Sequence, residues 1–247
     1  MSRKWGPWSC DTLFDAYRWY EWPFSFVPPD NTERRRGKTY QDTADVLDEL
    51  SERLRESAAN EDGAAFFDAA AAVVRWGGLK EGPLRRLGED TLPVLMKTAR
   101  LVDPATADLG RLSGAQPMNS GFSKIYSLLI DGFPIYDSRV ACTLASLVRL
   151  FCEETGRTEV PEHLGFRLPP SYSGKARDPS LGSLIFRRIS TPGRYAQSNL
   201  MAAWLLDSLA ATSPFSRESA PLHAIQSAMF MVGFRVYREP EHRARGT

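Results

Sequence analysis

Apolar residues recur at helical spacing in one segment of this chain after another, and that periodicity restricts the fold more than any other feature. In 138–154, Val140, Leu144, Leu147, Val148 and Phe151 fall at i, i+4, i+7, i+8 and i+11, a single stripe on a helix. In 194–211, Leu200, Ala203, Trp204 and Leu206 continue the same kind of pattern, and 40–59 sets Val46, Leu47, Leu50 and Leu54 against an acidic face. Segments 11–21, 61–75, 89–101 and 219–234 read as further helices. Asp11 or Thr12 caps the first, Gly77 or Gly78 closes the second, and Asp103-Pro104 stops the third. No run alternates with period two, so the expectation is an all-α protein without a substantial sheet.

The 247 residues, 43% of them hydrophobic, suffice for a sizeable core. No apolar run approaches the about 20 residues that cross a bilayer, and the first eight residues carry no stretch of signal-peptide type. Cys10, Cys142 and Cys152 have no CxxC spacing, and His163, His223 and His242 have no metal-ligand spacing. The expectation is a cytoplasmic protein without metal or cofactor. Phosphate-cradling and dinucleotide glycine motifs and a GxSxG elbow are absent, which argues against kinase, NTPase, hydrolase and Rossmann readings.

Net charge is only +1, but its distribution is uneven. Residues 42–62 hold eight acids against Arg53 and Arg55, a net of −6. Residues 164–201 hold one acid, Asp178, against Arg167, Lys175, Arg177, Arg187, Arg188 and Arg194, a net of +5. One face thus suits an anionic partner, although two ordinary solvated faces read the same way. We divide the chain, as one helical unit over 1–247, into an N-terminal helical part (1–112), a hairpin and helix unit (113–155), an irregular Pro-, Gly- and Ser-rich loop (156–182) and C-terminal helices (183–238). The tail from Glu239 is expected to fray.

Residues 118–141, MNSGFSKIYSLLIDGFPIYDSRVA, carry the chemistry. Asn119-Ser120-Gly121 is turn chemistry, an apolar helix runs from Ile125 to Ile130, Asp131-Gly132 breaks it, and Asp137 opens the next helix after an extended link. Lys124 falls at or within the first turn of its helix, where the dipole disfavours a cation and favours the neutral amine that Schiff-base chemistry needs. A lysine snorkelling from a surface turn has the same signature. Asp137 before Ser-Arg-Val is an N-cap, and a capping carboxylate is fixed in direction, which suits it to orient an amine or a water.

GFSK, the apolar helix and FPIYDSRVA together resemble the active-site unit of the helix-hairpin-helix DNA glycosylases, closest to bacterial members of their 8-oxoguanine-glycosylase-like branch. The resemblance runs over about residues 118–150 and is weaker around Trp76-Gly77-Gly78 and residues 194–199. It implies an all-helical fold with two subdomains flanking a DNA- and base-binding cleft, and a monomer that extrudes a damaged or modified base from duplex DNA. It also implies Lys124 as the nucleophile at C1′, with a possible abasic-site lyase step, and Asp137 as the group that orients it. The substrate would be an 8-oxoguanine-like base or a hypermodified base such as occurs in bacteriophage DNA, with a role in repair or anti-phage defence at the nucleoid. Two alternatives stay open: a monofunctional glycosylase using Asp137 and water, and a non-catalytic DNA-binding module.

Further contacts are expected on the same reading. Asn119, Ser120, Gly121 and Ser123 would meet DNA from the hairpin, and Arg139, Arg187, Arg188 and Arg194 would meet phosphates. Of nine aromatics in residues 1–26 most belong to the core. Trp22, with Trp76 and Asn199 from later in the chain, is assigned to the base pocket; for Asn199, a satisfied buried amide is the reading its apolar helix favours.

Overall fold

The computed structural model describes residues 9–28, 33–114, 116–170 and 177–234. Most long helices begin where the sequence supplies an acceptor for the N–H groups that a first turn leaves unpaired. Thr12 accepts from Asp15 and opens α1 (Leu13–Arg18). Thr39 and Asp42 form a reciprocal capping box at α2 (Tyr40–Ala59). Asp62 caps α3 (Gly63–Trp76) through Ala64 and Ala65. After α4 (Gly82–Arg85) and α5 (Thr91–Val102), Asn119 caps α6 (Ser120–Leu129) and Asp137 caps α7 (Ser138–Glu154). Thr191, with Pro192 in the first turn, opens α8 (Pro192–Ala211), and α9 (Pro221–Val232) ends the described chain. The fold is mostly helical, as the periodicity requires.

The structure adds one small sheet. β1 (Phe24–Phe26) and β2 (Arg35–Gly37) pair antiparallel with Phe24 opposite Gly37. Three residues per strand are too few to show alternation, which is why the sequence gives no sign of them. Phe24 and Phe26 point into the core, and the Phe24 ring lies where a side chain at Gly37 would stand, 2.6 Å from an ideal Cβ.

Two stripes read from the sequence are too wide. In α7 the buried face is Val140, Ala141, Leu144, Ala145, Val148 and Cys152, whereas Leu147 and Phe151 are exposed. In α8, Leu200, Ala203 and Leu206 are buried, but Trp204 lies at the surface and donates its indole N–H to the Pro104 carbonyl. The segment 156–182 is also more than a loop. Phe166 and Leu168 enter the core, and Leu168 bridges the backbone at Arg187 and Ile189. Residues 171–176 of that segment, and the tail from Glu239, lie outside the described residues.

Helix α3 packs between α2, α5 and α6, while α9 packs against α1, α7 and α8. Where α9 ends, it presses on the start of α7. Thr143 donates to the Met229 carbonyl at 2.7 Å, and an ideal Cβ at Gly233 would lie 1.9 Å from the Arg139 carbonyl oxygen. Gly233 has an ordinary backbone angle of −74°, so close approach, not chain reversal, demands glycine there. Because the obstacle is backbone, we expect Gly233→Ala to cost about 3 kcal/mol in urea unfolding, the upper end of ordinary overpacking.

Candidate functional site

The two residues that carry the chemistry in the sequence meet in space. Lys124 Nζ lies 3.3 Å from Asp137 Oδ2, with side chains only 7% and 13% exposed. Asp137 divides its oxygens. Oδ1 accepts from the backbone N–H of Arg139 at 2.9 Å and Val140 at 3.2 Å, while Oδ2 faces the ammonium. Burial alone would push its carboxyl up. The Lys124 ammonium, the two capping N–H groups and the nearby Arg139 guanidinium outweigh that and hold it below the usual carboxylate range.

Lys124 stands one residue deeper than a first turn. Asn119 is the cap, the helix starts at Ser120, and the lysine is the fifth residue, its Nζ 3.5 Å from the Ser120 carbonyl. The dipole fades beyond the first turn, so Asp137 rather than the helix terminus dominates the environment of this amine. Asn119-Ser120-Gly121 is therefore a cap and first turn, not a separate hairpin turn. Asn119 Oδ1 occupies the N–H groups of Gly121 at 2.8 Å and Phe122 at 3.1 Å. A phosphate that used those amides would have to displace it.

The link between the helices, Phe133 to Tyr136, has no strand partner, and its backbone hangs on side chains instead. Tyr136 N–H donates to Ser123 Oγ at 2.7 Å, and Ile135 N–H donates to Gln226 Oε1 at 2.6 Å. The Pro134 carbonyl accepts from Asn199 Nδ2 at 2.9 Å, and the Tyr136 carbonyl accepts from the Tyr195 hydroxyl. Ser123 Oγ in turn donates to Asn199 Oδ1 at 2.8 Å. Four helices, α6, α8, α9 and α7, thereby set the position of Asp137.

A cavity of ≈ 380 Å³ opens over the pair, within the roughly 300–1,000 Å³ usual for ligand sites. Lys124, Asp137, Trp22, Trp76, Arg139 and Gln226 are in its wall, with Tyr20, Arg177 and Phe230. Of the residues singled out from the sequence, the fold thus brings Lys124, Asp137, Trp22 and Trp76 to one place. The Trp76 indole N–H is buried without a hydrogen-bond partner among the described residues. A second, open cleft of ≈ 830 Å³ shares Leu79, Ser120 and Pro170 with this wall and is lined by Asn119, Gly121, Thr191 and Pro192.

Three expected contacts are corrected. Arg139 is not a surface arginine aimed at phosphate. It is 8% exposed, and its guanidinium lies 4.3 Å from the Trp22 ring, 4.2 Å from Phe230 and 4.8 Å from Phe234. The rings offer their negative faces to the cation, while burial and the like charge of Arg177 push its pKa down to about 10. Ser123 is fully buried within the hydrogen bonds that hold the link and has no free path to DNA. Asn199 is fully buried with both ends of its amide engaged, so it supports the site from behind and does not line the base pocket.

Arg187 and Arg194 are exposed and lie close enough to Arg167 that their charge, after burial, lowers its pKa. Arg188 is instead paired with Asp178 at 3.0 Å. Tyr20, Arg177, Gln226 and Phe230 are the cavity residues the sequence reading missed. They come from a helix-free stretch, the edge of the 156–182 segment and a helix whose burial hid which residue faced a cavity. Among the described residues no group of His, Cys, Asp and Glu is arranged to hold a metal, and no helix is long and apolar enough to cross a membrane. Comparison with protein-family models, curated proteins and solved structures finds no match for this chain.

Two measurements follow from this geometry. Because the folded-state pKa of Asp137 lies below the unfolded value of about 3.9, its stabilising contribution is complete above that pH and is lost as pH falls through the folded value. Melting temperature should therefore drop more steeply below about pH 4 for the wild type than for Asp137→Asn, in which this carboxyl no longer titrates. At neutral pH, Asn199→Ala should cost about 3 kcal/mol in denaturant unfolding, because it leaves a cavity and deprives Pro134 and Ser123 of partners.

Proposed function

We propose that this protein is a DNA glycosylase that receives an extruded base in the cavity between Trp22, Trp76 and Phe230 and cleaves its N-glycosidic bond with Lys124 and Asp137. The observation that carries the reading is the Lys124–Asp137 pair, 3.3 Å apart and nearly buried, in the wall of an aromatic-lined cavity. Lysine and carboxylate so placed are the parts that imine chemistry needs.

In this mechanism Asp137 takes a proton from the Lys124 ammonium and frees its lone pair. The amine attacks C1′, and the bond from C1′ to the base breaks with its electron pair leaving on the base, which takes the proton that Asp137 removed and so restores the carboxylate. The second nitrogen proton passes to O4′ as the sugar ring opens to the imine, which acidifies C2′–H; the Asp137 carboxylate takes that proton and the 3′ phosphate leaves with its electron pair. The low-dielectric cavity strengthens the stabilisation Asp137 gives to positive charge developing at the sugar. Extrusion costs a few kcal/mol of stacking, which the rings of the cavity help to offset. The cleft lined by Asn119, Ser120 and Thr191, with Arg187 and Arg194 nearby in sequence, suits the duplex backbone. The bases we put forward are an 8-oxoguanine-like lesion or a hypermodified base of phage DNA, hence repair or anti-phage defence in the cytoplasm.

A second reading has its own support. The carboxyl of Asp137 is held ionised beside a charged lysine, a state in which the carboxylate activates water and Lys124 only orients it.

Borohydride trapping on duplexes containing 8-oxoguanine, uracil, alkylated bases, an abasic site or modified phage DNA separates these readings. A covalent adduct in the wild type that disappears in Lys124→Gln is expected, together with a loss of base release of about 10²- to 10⁴-fold in Asp137→Asn. Base release that survives Lys124→Gln without any adduct establishes the water mechanism instead. If no duplex is processed, a binding module is what remains. Binding should weaken steeply with salt, and Arg187→Ala and Arg194→Ala should each lower the salt slope by about 1.

A further inference from the structure

The end of α3 carries two adjacent glycines whose reasons differ. Gly78 has φ +67°, and an added Cβ would meet nothing within 4 Å. It is glycine for its left-handed backbone, which closes the helix. Gly77 has φ −68° and ψ 0°, a conformation any residue adopts. Yet an ideal Cβ there would lie 2.7 Å from Lys124 Cδ and 2.9 Å from Cε, closer than real Cβ atoms approach a neighbour. Backbone geometry gives Gly77 no reason to be glycine, and the lysine gives it one.

We propose that Gly77 is a positioning residue for Lys124: its missing side chain is the slot in which the methylene stem lies, and the slot aims Nζ at Asp137. The proposal rests on the reading of Lys124 as nucleophile and adds the residue that holds it. The stem has four rotatable bonds and, among the described residues, two polar restraints, at 3.3 Å to Asp137 Oδ2 and 3.5 Å to the Ser120 carbonyl. Gly77 itself is tied by its N–H to the Val73 carbonyl at 3.0 Å, and α3 is packed against α6. When the two compete for space, the lysine yields. A methyl group at 77 therefore displaces the ammonium while Asp137 keeps its cap on α7.

The test compares Gly77→Ala with wild type in two assays. The first is single-turnover borohydride trapping on the duplex that gives the wild-type adduct, with duplex affinity measured alongside. The second needs no DNA: reductive methylation with formaldehyde and cyanoborohydride, following Lys124 by peptide mass spectrometry. We expect trapping to slow by about 100-fold, the scale of a misplacement near 1 Å, with duplex affinity unchanged, and methylation of the displaced Lys124 to quicken. Gly78→Ala should lower stability and leave the methylation rate of Lys124 at the wild-type value. Wild-type rates for Gly77→Ala in both assays, or the same quickening in Gly78→Ala, would overturn the proposal. Should the wild type trap on no duplex, the glycosylase reading fails while the methylation assay still decides the slot. Should Gly77→Ala fold poorly, the double variant with Lys124→Ala recovers the stability of Lys124→Ala alone if the clash is with the stem, and stays unstable if it is not.

Discussion

The site depends on a stretch of backbone that has no secondary structure of its own. Phe133 to Tyr136 must bring Asp137 beneath Lys124, and buried peptide groups without partners would be costly. Ser123, Asn199, Gln226 and Tyr195 supply those partners from α6, α8 and α9. Because these partners come from three separate helices, the position of Asp137 reports how α6, α8 and α9 pack. A change that separates α8 from α6 moves the carboxylate as surely as a change in the link.

Electrostatics then distinguishes the buried charges. Lys124 and Asp137 compensate each other at contact distance, and the α7 N–H groups add to the stabilisation of the carboxylate. Among the described residues Arg139 has no carboxylate at hydrogen-bond distance; three aromatic rings hold its planar group in place, while burial and the like charge of Arg177 lower its hold on the proton. Gly77, Trp76 and Trp22 complete the wall around these groups. The cavity therefore places one buried ion pair beside a wall of aromatic rings.

Much of this was legible along the chain because it is local. A cap needs only the residue before a helix, so Asp137 was readable in place, as was the choice of Asp11 or Thr12 for the first helix, and Val140, Leu144 and Val148 reveal their face by spacing alone. Lys124 was recognisable from its neighbours in GFSK, and the aromatic-rich start of the chain pointed to Trp22. What stayed hidden depends on residues far apart. Arg139 looked like a helix-end arginine because nothing near it in sequence announces Phe230 or Phe234. Ser123 and Asn199 looked like surface or pocket polars because their partners are 76 positions away from one another. The short β1–β2 pair escaped for a different reason: strands of three residues hold too little pattern to distinguish alternation from chance.

Sequence by itself determined the mostly helical character, the starts of the principal helices and the lysine–aspartate candidates, since helix period, capping and turn-breaking act over a few residues. Tertiary structure alone decided that the two charges pair, that Arg139 is caged rather than free, and that Gly77 faces a lysine stem. Those outcomes depend on which surfaces of separate helices meet, and close packing between distant segments is the one interaction that local sequence does not encode.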